Sequence, residues 1–278
     1  MFEPGVMFWA ERDSLEMVRS LGVRYGQLGI PGGMHLSDGV AAQWKTALEA
    51  AGIALVTVFA AYEGEDYTDI PAVARSVGFV PAETRAVRLA RTLAVSDFAA
   101  RLGVGSIACH IGFVPEDADH PDYEAVRAMV RQVCDHAARH GQSFALETGQ
   151  EPARVLLRFI GDVGRANLGI NFDPANLILY GTGEPIAALE TLAPLVISVH
   201  CKDGDWPAPG VDGALGRERP LGTGSVGIAR FVETLGRIGF RGPLNVERET
   251  EDRQERLRDL AEGVTLLRAL AEGRLPPK

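Results

Sequence analysis

The sequence predicts a single (β/α)8 barrel of the TIM type spanning residues 1–278, and three observations carry that prediction. Short apolar, strand-like runs alternate with amphipathic stretches of helical period from one end of the chain to the other. Eight such pairs are present, and most connections between them are short. The length of 278 residues suits one closed barrel, which typically needs about 250. An open, doubly wound sheet normally has fewer strands. No Pro/Gly/Ser-rich linker or change of composition divides the chain, so one domain is expected.

The strands are read at about 6–9, 25–30, 54–60, 106–112, 143–148, 167–173, 196–202 and 243–248. Helix starts carry recognisable signals: Ser37-Asp38 before 39–51, Pro121-Asp122 before 123–140, and Glu151-Pro152 before 153–164. Ser and Asp accept from the free N–H groups of a first turn, and Pro tolerates a position where its missing N–H costs nothing. Gly22, Gly52, Gly103, Gly141 and Gly239 stand where helices should end in a left-handed residue. Two connections are longer than the rest, 61–82 after the third strand and 203–226 after the seventh. Both should lie at the C-terminal face of a barrel, where they would cover a substrate. Trp206, in the second of them, is read as a substrate contact.

Composition narrows the partners. With 46% hydrophobic and 23% charged residues the chain reads as an ordinary soluble protein, and no window approaches the roughly 20 apolar residues of a membrane span. Met1 to Gly5 lack the basic start and apolar core of a secretory signal. Cys109, Cys134 and Cys201 are too few and too scattered for a disulfide framework, so a reducing cytoplasm is the expected setting. A net charge of −9 opposes binding to nucleic acid phosphates. A small molecule is the expected partner, and a homo-oligomer is left open. Lysine occurs only at 45, 202 and 278, which draws attention to Lys202.

The chemistry concentrates in the second half. Four consecutive strand-like runs end in a polar group: Glu147 after 144–146, Asp173 after 169–172, His200 after 196–199 and Glu247 after 243–246. A buried parallel strand tolerates a charge only at its end, so four such endings place three carboxylates and one imidazole on one rim. Residues two apart share a face, which turns Ala145 with Glu147, Asn171 with Asp173, Ser198 with His200 and Lys202, and Asn245 with Glu247 into the barrel. Each acid taken alone fits a helix cap or an ion pair equally well. Four on successive strands fit a metal site better, because unpaired buried charge is rare.

Three carboxylates and one imidazole make a mostly oxygen-donor set, suited to Mn2+, and also to Mg2+ or Co2+, in six-coordination; Zn2+ remains open. Two free positions would accept neighbouring oxygens of a sugar or hydroxy-ketone. Such an ion would act as a Lewis acid while a ligand carboxylate removes the proton next to the carbonyl. Glu147 and Glu247 lie on the fifth and eighth strands and are placed to address opposite faces of the substrate.

Two further features are weaker. His136 and His140 stand four apart on a predicted helix, but no Glu follows the first His and the arginine-rich neighbourhood reads as a solvated face. Gly222-Thr223-Gly224 offers a turn that would also suit a phosphate at a helix start.

The segments 146–148 (Leu-Glu-Thr), 171–176 (Asn-Phe-Asp-Pro-Ala-Asn), 199–203 (Val-His-Cys-Lys-Asp), 220–224 (Pro-Leu-Gly-Thr-Gly) and 246–249 (Val-Glu-Arg-Glu) resemble the xylose isomerase-like barrel superfamily. More narrowly they resemble its sugar phosphate isomerase/epimerase group, which includes tagatose 3-epimerase, hydroxypyruvate isomerase and inosose dehydratase. The resemblance implies Glu147, Asp173, His200 and Glu247 as metal ligands, with Glu147 and Glu247 also transferring protons. It implies a substrate-facing role for His110, at the end of the fourth strand. Asn176 departs from the pattern, since many epimerases carry histidine three residues after the aspartate of the sixth strand. With Lys202 and Trp206, His110 and Asn176 complete the expected substrate contacts.

The resulting expectation is a metal-dependent isomerase or epimerase of a sugar or keto-sugar, working through an enediolate. The alternative is a lyase that follows the same proton abstraction with loss of a β-substituent, as from an inosose or a 3-keto-glycoside. A binding subunit without turnover is a third reading, and a nuclease is opposed by the acidic charge and the missing histidines.

Overall fold

Strands flanked by amphipathic helices must run parallel and cover both faces, and closing the sheet on itself removes the exposed edges. The computed structural model, which describes residues 2–274, shows that closure. The first half of the chain forms β1 (Pro4–Trp9), α1 (Leu15–Ser20), β2 (Tyr25–Ile30), α2 (Asp38–Ala51), β3 (Ala54–Ala60), α3 (Ile70–Ser76), α4 (Arg85–Leu102), β4 (Ser106–Cys109) and α5 (Pro121–Ala138). The second half adds β5 (Ser143–Glu147), α6 (Ala153–Val163), β6 (Leu168–Phe172), α7 (Pro174–Leu179), α8 (Pro185–Leu192) and β7 (Val196–Cys201). It ends with β8 (Asp203–Asp205), β9 (Arg217–Arg219), α9 (Ile228–Arg237), β10 (Leu244–Val246) and α10 (Arg253–Ala271). The barrel closes in the order β1-β10-β7-β6-β5-β4-β3-β2, every pair parallel, while β8 and β9 form a separate antiparallel hairpin.

The punctuation works as its chemistry dictates. Ser37 accepts from Val40 N at 3.2 Å and starts α2, and Gly52 and Gly103 end α2 and α4 at φ 69° and 78°. The helix after Glu151-Pro152 begins at Ala153 without a side-chain cap, because the Glu151 carboxylate turns away to accept from Val114 N at 2.9 Å. Three features were not read from the sequence: α3 within the first long connection, the β8–β9 hairpin within the second, and the short α7 directly after β6. β4 and β10 end earlier than expected, at Cys109 and Val246, where ladder pairing stops at the rim.

Alternation splits the side chains. Phe8, Leu28, Val58, Ile107, Phe144, Ile170 and Val199 point outward and are buried beneath the helices. The interior is itself divided: Met7, Phe59, Ala108 and Ala145 form an apolar cluster, whereas Gln27, Asn171, Ser198 and Asn245 are buried polar groups. Glu147 pairs with Asn171, Asn171 with Ser198, and His200 with Asn245, so the register climbs around the barrel as closure demands. That stagger brings Glu147, Asp173, His200 and Glu247 to one level at the C-terminal rim.

Candidate active site

The four strand-end groups meet around one atom. His200 Nδ1 lies 2.8 Å from Glu147 Oε1, 3.0 Å from Glu247 Oε2 and 3.7 Å from Asp173 Oδ2. Ligand atoms from all four residues lie within 4.8 Å of one another, and all four side chains are buried. Asp173 spends Oδ1 as the N-cap of α7, accepting from Ala175 N at 2.8 Å and Asn176 N at 3.0 Å. Its Oδ2 has no hydrogen-bond partner despite complete burial, and Glu247 Oε2 has only the ion-pair contacts with His200 and Lys202. Buried carboxylate oxygens left in that state are costly, and a cation offsets the cost. The donor set therefore fits a hard divalent ion.

The electrostatics follow from three carboxylates confined together. Burial pushes the Asp173 carboxyl up to about 6, and the neighbouring Glu147 and Glu247 charges add to the rise. Burial also opposes charge on Glu147, but His110 and His200 more than offset it and hold the group down to about 2. Glu247 is likewise held well below the usual carboxylate range, against burial, by His200 and Lys202. His200 stays protonated well above the usual imidazole range because Glu247 and Glu147 outweigh its burial.

Each flanking carboxylate has its own cationic neighbour. His110 Nε2 lies 2.9 Å from Glu147 Oε2, and the Gln150 amide nitrogen lies 3.2 Å from His110 Nδ1. Burial lowers the His110 pKa, yet the Glu147 charge wins and raises it to about 9. On the other flank Lys202 Nζ lies 3.3 Å from Glu247 Oε2 and donates to Glu249 Oε2 at 2.8 Å. Asn176 Nδ2 donates to Glu147 Oε1 at 3.3 Å. Gly149 at φ 150° makes room for it, since a Cβ there would meet the Asn176 Cβ at 2.5 Å.

A cavity of about 390 Å³ opens above these groups, with His110, Glu147, Asn176, Lys202 and Glu247 in its walls. Trp206, expected as a substrate contact, is 46% exposed and is not among the residues that line this cavity. It directly follows the short β8, which pairs with β9 to form the hairpin. The aromatic part of the wall comes from Trp9, Phe59, Tyr67 and Tyr180. Gly29 leaves space for Trp9, because a Cβ at that position would meet the indole at 2.5 Å. The Gly222 and Gly224 N–H groups both donate to Asp203 Oδ2 at 3.0 Å, so that loop is closed on a carboxylate of its own chain.

A family model described as xylose isomerase-like TIM barrel matches residues 15–270. The chain belongs to the xylose isomerase-like TIM barrel family. It is similar to the crystal structure of a xylose isomerase domain protein from Planctomyces limnophilus, at 44% identity and TM-score 0.95 over 98% of this chain and 99% of that one. A xylose isomerase-like TIM barrel protein from Mycobacterium smegmatis in complex with magnesium aligns at 19% identity and TM-score 0.72 over 99% and 98% of the two chains. A D-tagatose 3-epimerase-like protein aligns at 17% identity and TM-score 0.74 over 96% and 97%. No curated protein matches the chain.

Within this xylose isomerase-like barrel, the inner partner of His200 escaped the sequence reading, as did the aromatic wall. Gln27 on β2 is buried in the interior, its Oε1 in hydrogen-bond contact with His200 Nε2 and its Nε2 donating to Asn171 Oδ1 at 3.0 Å. Ser198 Oγ donates to the same Asn171 oxygen at 2.6 Å. The chain of amides fixes the imidazole with Nδ1 aimed at the carboxylates. A polar residue inside the run Tyr25–Ile30 was the available signal.

Proposed function

We propose that the protein is a divalent-metal-dependent isomerase or epimerase of a sugar or keto-sugar. The observation carrying this reading is the approach of Glu147 and Glu247 to His200 Nδ1 from strands separated in the barrel by β6 and β7. Two ionised carboxylates that reach one centre from separate flanks suit proton removal on one side of a carbon and return on the other. The names of related structures, a magnesium complex and a D-tagatose 3-epimerase-like protein, are in keeping with a metal and a small sugar.

Held by Glu147, Asp173, His200 and Glu247, a Mn2+ or similar ion would supply a Lewis acid that offsets the negative charge growing on substrate oxygen as the proton leaves. The remaining roles belong to the chain. His110 and Lys202 keep Glu147 and Glu247 ionised and stand in the cavity wall as donors to substrate hydroxyls. Asn176 orients Glu147 and offers a further amide contact. Trp9, Phe59 and Met7 supply an apolar wall for the C–H face of a sugar and keep water from the reacting carbon.

The test is solvent-deuterium exchange. Mn2+-loaded protein is incubated with a panel of ketoses, aldoses and keto-glycosides in D2O, and products are followed by NMR and mass. Exchange next to the carbonyl with conservation of formula is the expected result. Exchange with loss of water or an aglycone would assign a lyase instead, and no exchange in any sugar with metal bound would overturn the enzymatic reading.

A further inference from the structure

The two histidines set aside as a solvated face acquire a partner in the fold. His136 Nε2 and His140 Nε2 lie 2.7 and 2.9 Å from the same atom, Asp97 Oδ1 on α4. The four-residue spacing brings the imidazoles edge to face, His136 on the last turn of α5 and His140 just past its end, with ring centroids 5.4 Å apart. Their side chains are 18% and 32% exposed and that of Asp97 is 39% exposed, so an ion reaches the group from solvent. Among the described residues neither imidazole makes another side-chain hydrogen bond. Helices run against the strands in this barrel, which places the cluster at the N-terminal face, away from the catalytic rim.

We propose that Asp97, His136 and His140 form a second metal site, selective for Zn2+ and separate from the rim. Two imidazoles and one carboxylate, with a solvent-facing fourth position, match a tetrahedral zinc set. In such a set, with bonds of about 2.0–2.2 Å, donor atoms stand roughly 3.3 Å apart. The Asp97 oxygen therefore needs to withdraw by only about half an ångström, which a partly exposed side chain does freely. The two sites divide the metals by donor type. Nitrogen-rich coordination favours Zn2+ at α4–α5, whereas the oxygen-rich rim suits Mn2+ or Mg2+. Burial acts against the Asp97 charge, but hydrogen bonds from both imidazoles hold its carboxyl below the usual range, in the ionised form a ligand requires. Bound zinc would clamp α4 to α5.

The experiment uses the full chain with Zn2+ alone and with Co2+ alone. Zinc titration of the wild type should give two equivalents per chain, and His136→Gln, His140→Gln and Asp97→Asn should each give one. A rim variant, Asp173→Asn with His200→Gln, should retain one Zn2+ and show a Zn2+-dependent rise in Tm that adding His136→Gln abolishes. Co2+ at the helix site should give the intense visible bands of tetrahedral coordination, absent in His140→Gln. All variants are compared first in EDTA, where the single substitutions at 97, 136 and 140 should leave Tm unchanged, and the rim variant is compared with itself with and without Zn2+. The proposal falls if His136→Gln and His140→Gln bind as much Zn2+ as the wild type with metal-free Tm intact, or if the rim variant binds none.

Discussion

His200 on β7 meets Gln27 on β2, 173 residues earlier in the chain, through a buried hydrogen bond from Nε2 to Oε1. Because the Gln27 amide nitrogen is committed to Asn171, its oxygen is the acceptor and His200 carries the proton on Nε2. Nδ1 is the atom left for the carboxylates or an ion. Replacing Gln27 with Met keeps length and burial but removes the acceptor. Loss of an outer partner of a ligating histidine typically weakens metal affinity about 10- to 100-fold. Mn2+ titration of Gln27→Met should show that loss with stoichiometry preserved, and an unchanged affinity would remove Gln27 from the site.

In the proposed mechanism Glu147 and Glu247 move the proton, and in the structure one is held by His110 and the other by Lys202. Glu→Gln at either position keeps an oxygen donor and removes the base. C–H exchange with solvent deuterium should fall by about 10²- to 10⁴-fold in each variant while Mn2+ remains bound. Parental exchange in both would leave the cluster without a catalytic role.

What the sequence made legible was whatever depended on parity and on strand ends. A charge closing a buried run has only one place to go, so Glu147, Asp173, His200 and Glu247 were readable together as one rim. Gln27 was not, because a single amide within an apolar strand shows no partner until closure brings β7 within reach. The β8–β9 hairpin was hidden for another reason: three-residue strands have no periodicity to read, so the exposed position of Trp206 just after β8 could not be placed from the sequence. His136 and His140 were visible as a helical pair, but Asp97, 39 and 43 residues away, is joined to them only by the packing of α4 on α5.

Glu151 gives a pH dependence of known sign. Burial raises its carboxyl from 4.5 to about 7, only partly offset by the Val114 N–H, and Oε2 has no partner. The folded state therefore holds a proton that the unfolded chain releases at lower pH. Stability is highest below about pH 4.5 for this group and is lost as pH rises through 7. At about 1.4 kcal/mol per pKa unit the loss is on the order of 3 kcal/mol. Glu151→Gln keeps the acceptor for Val114 and has nothing to ionise. Urea unfolding of that variant should be more stable than the parent at pH 8 and close to it at pH 4.5; equal stability at both would place the buried charge elsewhere.

Asp13 joins the end of β1 to α10. Its Oδ1 accepts from Arg256 Nη2 at 2.7 Å and its Oδ2 accepts from Trp9 N at 2.9 Å, with both charged side chains almost wholly buried. Arg256 also donates to Thr250 O at 3.0 Å. Neutralising one member leaves the other charge buried without compensation, which typically costs about 3–5 kcal/mol. Asp13→Asn should therefore lower the urea midpoint sharply while leaving the slope of the transition unchanged. Removing both charges is a different matter, since an apolar pair of similar volume loses no unpaired ion. Asp13→Leu combined with Arg256→Met should recover most of the stability lost by Asp13→Asn. It should still raise KM for substrate, because Trp9, no longer held through its backbone N–H, forms part of the cavity wall. A loss below about 1 kcal/mol in Asp13→Asn would show that the ion pair does not hold β1 to α10.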